Sequence, residues 1–229
     1  MFHVKHASEI PPVSAFRGVY VNHPLTPEQF AALTGADRAT LARLALFVSL
    51  LEKWQRRINL VAASTLADPW RRHILDSAQL LPLLPRPSSD GVPIIADLGS
   101  GAGFPGLVLA LMGCGAVTLV DSDSRKGAFL REVIRATGAT ARVETARIEA
   151  LPPLAADVVT ARACAPLPLL LGYVRRHLAA DGTVLLLKGR CAAAELTQAG
   201  KTWMMSAKLM PSQSDPSGHV IKITAIRPR

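Results

Sequence analysis

A chain of 229 residues that is 49% apolar and only 19% charged can bury a sizeable core and is not a disordered polypeptide. Its formal net charge of +9 suggests a polyanionic partner. Cys114, Cys164 and Cys191 are scattered, with no C-x-x-C pair or metal-ligand spacing, which argues against a disulfide framework or a metal site and suits a reducing cytoplasm.

The longest uncharged stretch, residues 98–120, is broken by glycines and a proline and so is not a membrane span. Residues 1–6 lack the apolar core of a signal peptide. Residues 1–25 show no apolar period and read as a loose arm. Thr26-Pro27-Glu28-Gln29 is a capping box with proline at the first helical position, predicting a short helix to Gly35. From Asp37, the residues Leu41, Leu44, Ala45, Val48, Leu51 and Ile58 repeat at helical spacing, while Arg43, Glu52, Lys53, Arg56 and Arg57 fall off the stripe; for Lys53, Arg56 and Arg57, as for Arg71 and Arg72, a solvated face and binding both stay open. Asp68-Pro69 opens a third helical pattern, Trp70 to Ser77, which Pro82 should stop. Residues 26–81 thus form a helical cap, joined by a proline-rich linker, 82–93, to an α/β domain, 94–229. In that domain strands are expected at 94–98, 117–121, 142–145, 157–161 and 183–188, with helices opened by Pro105, capped within Ser122 to Ser124 and spanning 167–178. Alternation of this kind calls for a parallel sheet with right-handed crossovers. The runs 203–210 and 219–226, with no helix between them, add an antiparallel hairpin and bring the strands to seven.

The α/β domain is organised around Ile94 to Leu130. Asp97-x-Gly99-x-Gly101-x-Gly103 follows an apolar strand and leads through Phe104, Pro105 and Gly106 into a helix; Asp121 ends the next strand. Glycines let the turn close and a ligand lie against the main chain, and the first helical N–H groups can face an anion. Asp121 stands where an acid accepts from both ribose hydroxyls, so the stretch fits an adenosine. Gly101, Gly103 and Gly106 also satisfy the dinucleotide spacing G-x-G-x-x-G. The acid Asp97 favours S-adenosylmethionine over NAD, since a carboxylate repels pyrophosphate and attracts an ammonium and a sulfonium. A purely structural turn is the third reading.

These motifs resemble those of the Rossmann-like class I S-adenosylmethionine-dependent methyltransferases, here with an N-terminal helical cap. A narrower likeness rests on Asn59-Leu60, Arg72-His73-Ile74-Leu75-Asp76-Ser77, Asp97 to Gly106, Asp121-Ser122, Arg125-Lys126, Phe129-Leu130, Arg147-Ile148-Glu149, Arg162-Ala163, Leu187-Lys188-Gly189 and His219. In order and spacing they are similar to the bacterial small-subunit ribosomal RNA methyltransferase G family, also called glucose-inhibited division protein B, over roughly residues 50–226. The resemblance implies methyl transfer from S-adenosylmethionine to N7 of guanine-527 in 16S ribosomal RNA. The implied partner is that RNA or the small ribosomal subunit, with no membrane or metal. A cytoplasmic monomer is expected. It implies cofactor contacts at Gly99, Phe104, Ile148, Glu149 and Arg162, and the basic pair appears here in reversed order as Arg125-Lys126.

The residues agree by omission. Guanine N7 already exposes a lone pair, so orientation and exclusion of water suffice and no general base is required. The Asn/Asp-Pro-Pro-Tyr/Phe motif of exocyclic-amine enzymes is replaced by Thr160-Ala161-Arg162-Ala163, and Cys164 lacks the Pro-Cys setting of a nucleophile, reading instead as a packing residue. The expected cofactor set is therefore Asp97, Gly99, Gly101, Gly103, Phe104, Asp121, Ile148, Glu149 and Arg162, with Arg162 also a candidate to position the base. Arg125, Lys126, Lys188 and His219 are the expected RNA contacts, Lys188 emerging at a strand end beside the cofactor mouth. His73 and Asp76 stand between a scaffold and an RNA contact. A methyltransferase for another substrate, or a non-catalytic nucleotide- or NAD-binding module, are the alternatives.

Overall fold

The computed structural model describes residues 23–85 and 91–229. Most of the expected arm and the centre of the expected linker lie outside the described residues. Where the arm ends it is fixed: Leu25 is buried, its N–H donates to Asp68, and the His23 carbonyl accepts from Arg71.

The capping box forms as the spacing predicts. Thr26 Oγ1 accepts from the Gln29 N–H and Gln29 Oε1 from the Thr26 N–H, opening α1 (Pro27–Thr34). Asp37 caps α2 (Arg38–Gln55), which buries Leu44, Phe47, Val48 and Leu51. The third helical pattern adopts the wider π winding over Trp70–Leu75 before a single α-turn, α3 (Asp76–Ala78). Such windings recur at functional sites, because they re-aim successive side chains.

Seven strands follow: β1 (Ile94–Leu98), β2 (Ala116–Val120), β3 (Ala141–Glu144), β4 (Ala156–Arg162), β5 (Leu178–Lys188), β6 (Trp203–Pro211) and β7 (His219–Pro228). They lie in the order β3-β2-β1-β4-β5-β7-β6, parallel from β3 through β5, with β7 antiparallel to both β5 and β6. The strand order reverses between β1 and β4, so their carboxyl ends open a crevice where this kind of sheet binds ligands. The helices are α4 (Gly106–Leu111), α5 (Ser124–Thr137), α6 (Leu167–His177) and α7 (Ala192–Ala199). On one face of the sheet, Phe30, Phe47 and Ile74 of the cap share a single buried cluster with Leu107 of α4 and Phe129 of α5. The cap is therefore continuous with the α/β core, and the linker separates segments of sequence without separating two cores. On the other face Leu171 and Val174 of α6 and Ala192 and Ala199 of α7 pack on Val159, Val184 and Ile221.

The cap expected within Ser122 to Ser124 forms at Asp123, which accepts from the Arg125 and Lys126 N–H groups to start α5. Two local readings are corrected. The fifth strand begins at Leu178, paired with Ala156 ahead of a register shift. Helix α7, in the Ala192-Ala193-Ala194-Glu195 run, has no counterpart among the predicted elements, although such an alanine run has high helix propensity.

Candidate active site

The glycine turn lies between β1 and α4 and forms the floor of a cavity of about 450 Å3. Gly101 holds φ 55, and an added Cβ there would meet nothing nearer than the Gly99 carbonyl oxygen at 3.9 Å, so its bare α-carbon faces open space. Its N–H donates to Asp121 Oδ2 at 2.8 Å, while Asp121 Oδ1 accepts from the Asp123 N–H. The acid ending β2 is thereby held at the rim with lone pairs remaining on both oxygens. Gly99, Phe104, Ile148, Glu149 and Arg162 of the expected set also line this cavity, as do Leu169 and Tyr173 of α6. An open main-chain floor, a fixed carboxylate and apolar walls at Ile148 and Leu169 suit a ribose and a purine, so the residues present fit the adenosyl half of S-adenosylmethionine.

Two members of the expected cofactor set face elsewhere. Gly103 looks into the core: an added Cβ would lie 3.0 Å from both Leu107 and Leu130. Asp97 is fully buried and accepts from Thr160 Oγ1 at 2.7 Å and from the Gly106 N–H at 3.2 Å. The anion at the α4 N-terminus is thus an internal one. Asp97 ties β1, β4 and the end of the turn together beneath the cavity and is not among the residues that line it. Pro105 stands just before the helix, after a cis Phe104–Pro105 bond.

Phe104 is stacked between His73 (centroids 4.8 Å apart) and Phe47 (5.0 Å), and the Arg162 guanidinium lies 4.8 Å from its centroid. One nitrogen of Arg162, Nη1, shares its two hydrogens among Asp76 Oδ2 (3.2 Å), His73 Nδ1 (3.1 Å) and the Arg72 carbonyl (3.3 Å). An arginine can only donate, so His73 Nδ1 accepts and its Nε2 carries the hydrogen, which Thr65 Oγ1 receives at 2.8 Å; the Thr65 hydroxyl donates in turn to the Ala62 carbonyl. Burial, together with the Arg162 and Arg72 charges, holds His73 down at about 3, so it stays neutral. Burial alone lifts Asp97 to about 6, against the partial pull of its hydrogen-bond donors.

These two shifts oppose each other in the pH dependence of stability. Between its ordinary 3.8 and about 6, Asp97 holds more proton in the folded state than in the unfolded, so its contribution falls as pH rises through that window. His73 holds less between about 3 and 6.5, so its contribution rises with pH there. Asp97→Asn removes the falling component, and urea unfolding across pH 4 to 6 is expected to show a steeper rise of stability with pH in the variant. Parallel profiles would contradict the assignment.

The four expected RNA contacts separate. Arg125 is exposed and pairs with Asp123 at 3.2 Å, while Lys126 lines the cavity just described. Lys188 and His219 line a second cavity beside it. Lys188 does not emerge as expected: its side chain is 8% exposed and its ammonium donates to Glu195 Oε2 (2.8 Å) and to the Ala165 carbonyl (2.7 Å). Glu195 Oε2 also accepts from the Leu167 N–H at the start of α6. Helix α7, missed from sequence, therefore supplies the carboxylate that draws Lys188 inward and braces the 163–166 loop, where Ala163 holds φ 49. Lys188→Ala is expected to lower stability by about 2 kcal/mol, by leaving a half-buried carboxylate without its cation. A cycle with Glu195→Gln in thermal melts checks this, and additive losses would refute the brace. Cys164 packs against Gly99, and burial raises its thiol, which keeps it protonated and unsuited to nucleophilic catalysis.

Fold and cavity together define a class I S-adenosylmethionine-dependent methyltransferase. A methyltransferase of this cofactor class from Aquifex aeolicus shares the fold with a TM-score of 0.52 at 15% identity, over 71% of this chain and 95% of that one. The model of the GidB family, rRNA small subunit methyltransferase G, matches residues 40–220. Curated relatives of that name are 52% identical over 202 residues in Rhodospirillum rubrum (88% of this chain, 98% of the relative) and 53% identical over 200 residues in Paramagnetospirillum magneticum (87% and 96%). The chain belongs to the rRNA small subunit methyltransferase G family. Among the described residues no helix is long and apolar enough to cross a membrane, and no three His, Cys, Asp or Glu side chains group as metal ligands.

Proposed function

We propose that the protein methylates N7 of the family's guanine in 16S ribosomal RNA, as a monomer in the cytoplasm, on the naked RNA or the small subunit. The observation that carries this reading is the pair of adjoining cavities, whose linings share Leu60, Arg162 and Ala163. Gly99, Gly101, Asp121, Ile148 and Glu149 hold the adenosyl half of the donor in the first, and the second receives the base. When bound, the donor would supply a methyl group activated by its sulfonium, for transfer to the N7 lone pair with the sulfur keeping the C–S electron pair.

The chain's task is orientation. His73 engages both ring nitrogens within the protein and stays neutral, so it removes no proton, in keeping with a nucleophile that has none to lose. Arg162, fixed on three acceptors, holds the wall between donor and acceptor in one place. Arg125, exposed at the start of α5, and Lys126 beside it offer positive charge for RNA phosphates. Mapping methylated guanines in 16S RNA from cells lacking and regaining the gene tests the reading. One N7-methylguanine should vanish and return. A change at another atom, or in another RNA, would overturn it.

A further inference from the structure

The second cavity, of about 370 Å3, is walled by the π-wound segment and the 212–218 loop. Two guanidinium–carboxylate pairs line it. The outer one, Arg72 with Asp215 at 2.6 Å, is 38% and 27% exposed and ties the loop to the π-wound segment. The inner one, Arg162 with Asp76 at 3.2 Å, is 20% and 15% exposed, and its arginine also borders the donor cavity.

Both members of the inner pair are pinned from behind. Nη1 of Arg162 serves its three acceptors, while its remaining guanidinium N–H groups have no acceptor among the described residues. Asp76 Oδ1 accepts from Ser214 Oγ and from Gln79 Nε2, whereas Oδ2 accepts, among the described residues, from Arg162 alone and keeps a lone pair. Gln79 is itself held by Ser212 and by the Gln213 N–H. A donor and an acceptor thus stand side by side in fixed orientation at the junction of the two cavities.

We propose that this inner pair reads the target base as guanine, Arg162 donating to O6 and Asp76 Oδ2 accepting from N1–H. The proposal rests on the reading that the protein methylates guanine N7. Guanine carries an acceptor, O6, next to a donor, N1–H; adenine carries a donor amino group next to the N1 acceptor, the inverse order. Against adenine the guanidinium would face an amino group and the carboxylate a lone pair. O6 neighbours N7, so a guanidinium at the rim of the donor cavity leaves N7 turned toward the donor. As the methyl group arrives the purine becomes cationic and N1–H more acidic, so the hydrogen bond to Asp76 strengthens in the transition state, where it accelerates the reaction. Asp76 acts as a specificity residue, not as a base.

The test uses small subunits reconstituted with 16S RNA carrying guanine, inosine or 2,6-diaminopurine at the target. Inosine keeps O6, N1–H and N7, whereas diaminopurine keeps N7 and the 2-amino group and inverts the other two positions. The wild-type protein is expected to methylate inosine within about tenfold of guanine and diaminopurine about a hundredfold more slowly. Asp76→Asn, whose amide can turn to donate, should narrow the guanine-to-diaminopurine ratio at least about tenfold while S-adenosylhomocysteine affinity stays within about threefold. Equal wild-type turnover of diaminopurine and guanine overturns the proposal without needing a folded variant, and so does an Asp76→Asn protein that slows equally on both. Absence of N7 methylation in the unsubstituted particle overturns the functional reading, and this one with it.

Discussion

Gly101→Asp is expected to abolish binding of S-adenosylmethionine and S-adenosylhomocysteine, with a loss of at least about a hundredfold in affinity, while the protein still folds. The new Cβ enters open space, its nearest neighbour 3.9 Å away, so no core contact opposes it. At φ 55 the residue is strained by about 1 kcal/mol, a cost aspartate tolerates better than most. The carboxylate then fills the floor of the cavity beside Asp121, displacing the ligand and placing two like charges together. Gly103→Ala is the matched control. Its Cβ would press on Leu107 and Leu130 and its backbone would be strained at φ 90, so it should cost stability, about 1–3 kcal/mol, and leave affinity near that of the wild type. Calorimetry with S-adenosylhomocysteine and urea melts on both variants check the contrast. Equal affinity losses in the two would mean that the turn, not the open face of Gly101, is what the ligand requires.

Arg162→Ala is expected to lower kcat/KM on the order of a thousandfold, because one side chain braces both cavities. Its loss frees His73 Nδ1 and Asp76 Oδ2 from their shared donor and removes the cation over Phe104. Stability should fall by about 2 kcal/mol, since Asp76 retains Ser214 and Gln79 but loses its counter-charge. Arg162→Lys separates the two effects: an ammonium restores the charge beside Asp76 but lacks the second and third nitrogens that the guanidinium keeps free for a base while Nη1 stays on its acceptors. Stability should largely return and turnover should not. Full recovery of turnover in the lysine variant would show that charge alone is what this position supplies.

The parts legible in the sequence are those whose physics is local. The capping box, the glycine turn, the acid ending β2 and the alternation of apolar runs each depend on residues within a few positions, and the seven-stranded sheet with its antiparallel last hairpin follows from them. What escaped depends on distant partners. Asp97 reads as a ligand contact because it precedes the glycines, yet its direction is set by Thr160, 63 positions away on the neighbouring strand. Lys188 reads as emergent because it ends a buried strand; Glu195, on a helix not foreseen, turns it inward. The second cavity has no contiguous motif, for Asp76 meets Ser214 only across 138 positions of chain and through the return of β7 between β5 and β6. The π winding that carries His73 and leads into Asp76 is not foreseen either, because the run from Trp70 to Ser77 reads as an ordinary helical pattern.

The central claim is that the hollow over Gly101, closed by Asp121, seats the adenosyl half of the methyl donor. A crystal structure of the protein with S-adenosylhomocysteine tests it most directly. The ribose hydroxyls are expected on the Asp121 carboxylate and the purine between Ile148 and α6, with the sulfur directed toward Arg162. Ligand bound elsewhere, or a hollow closed by a side chain in a protein that still transfers methyl groups, would contradict it.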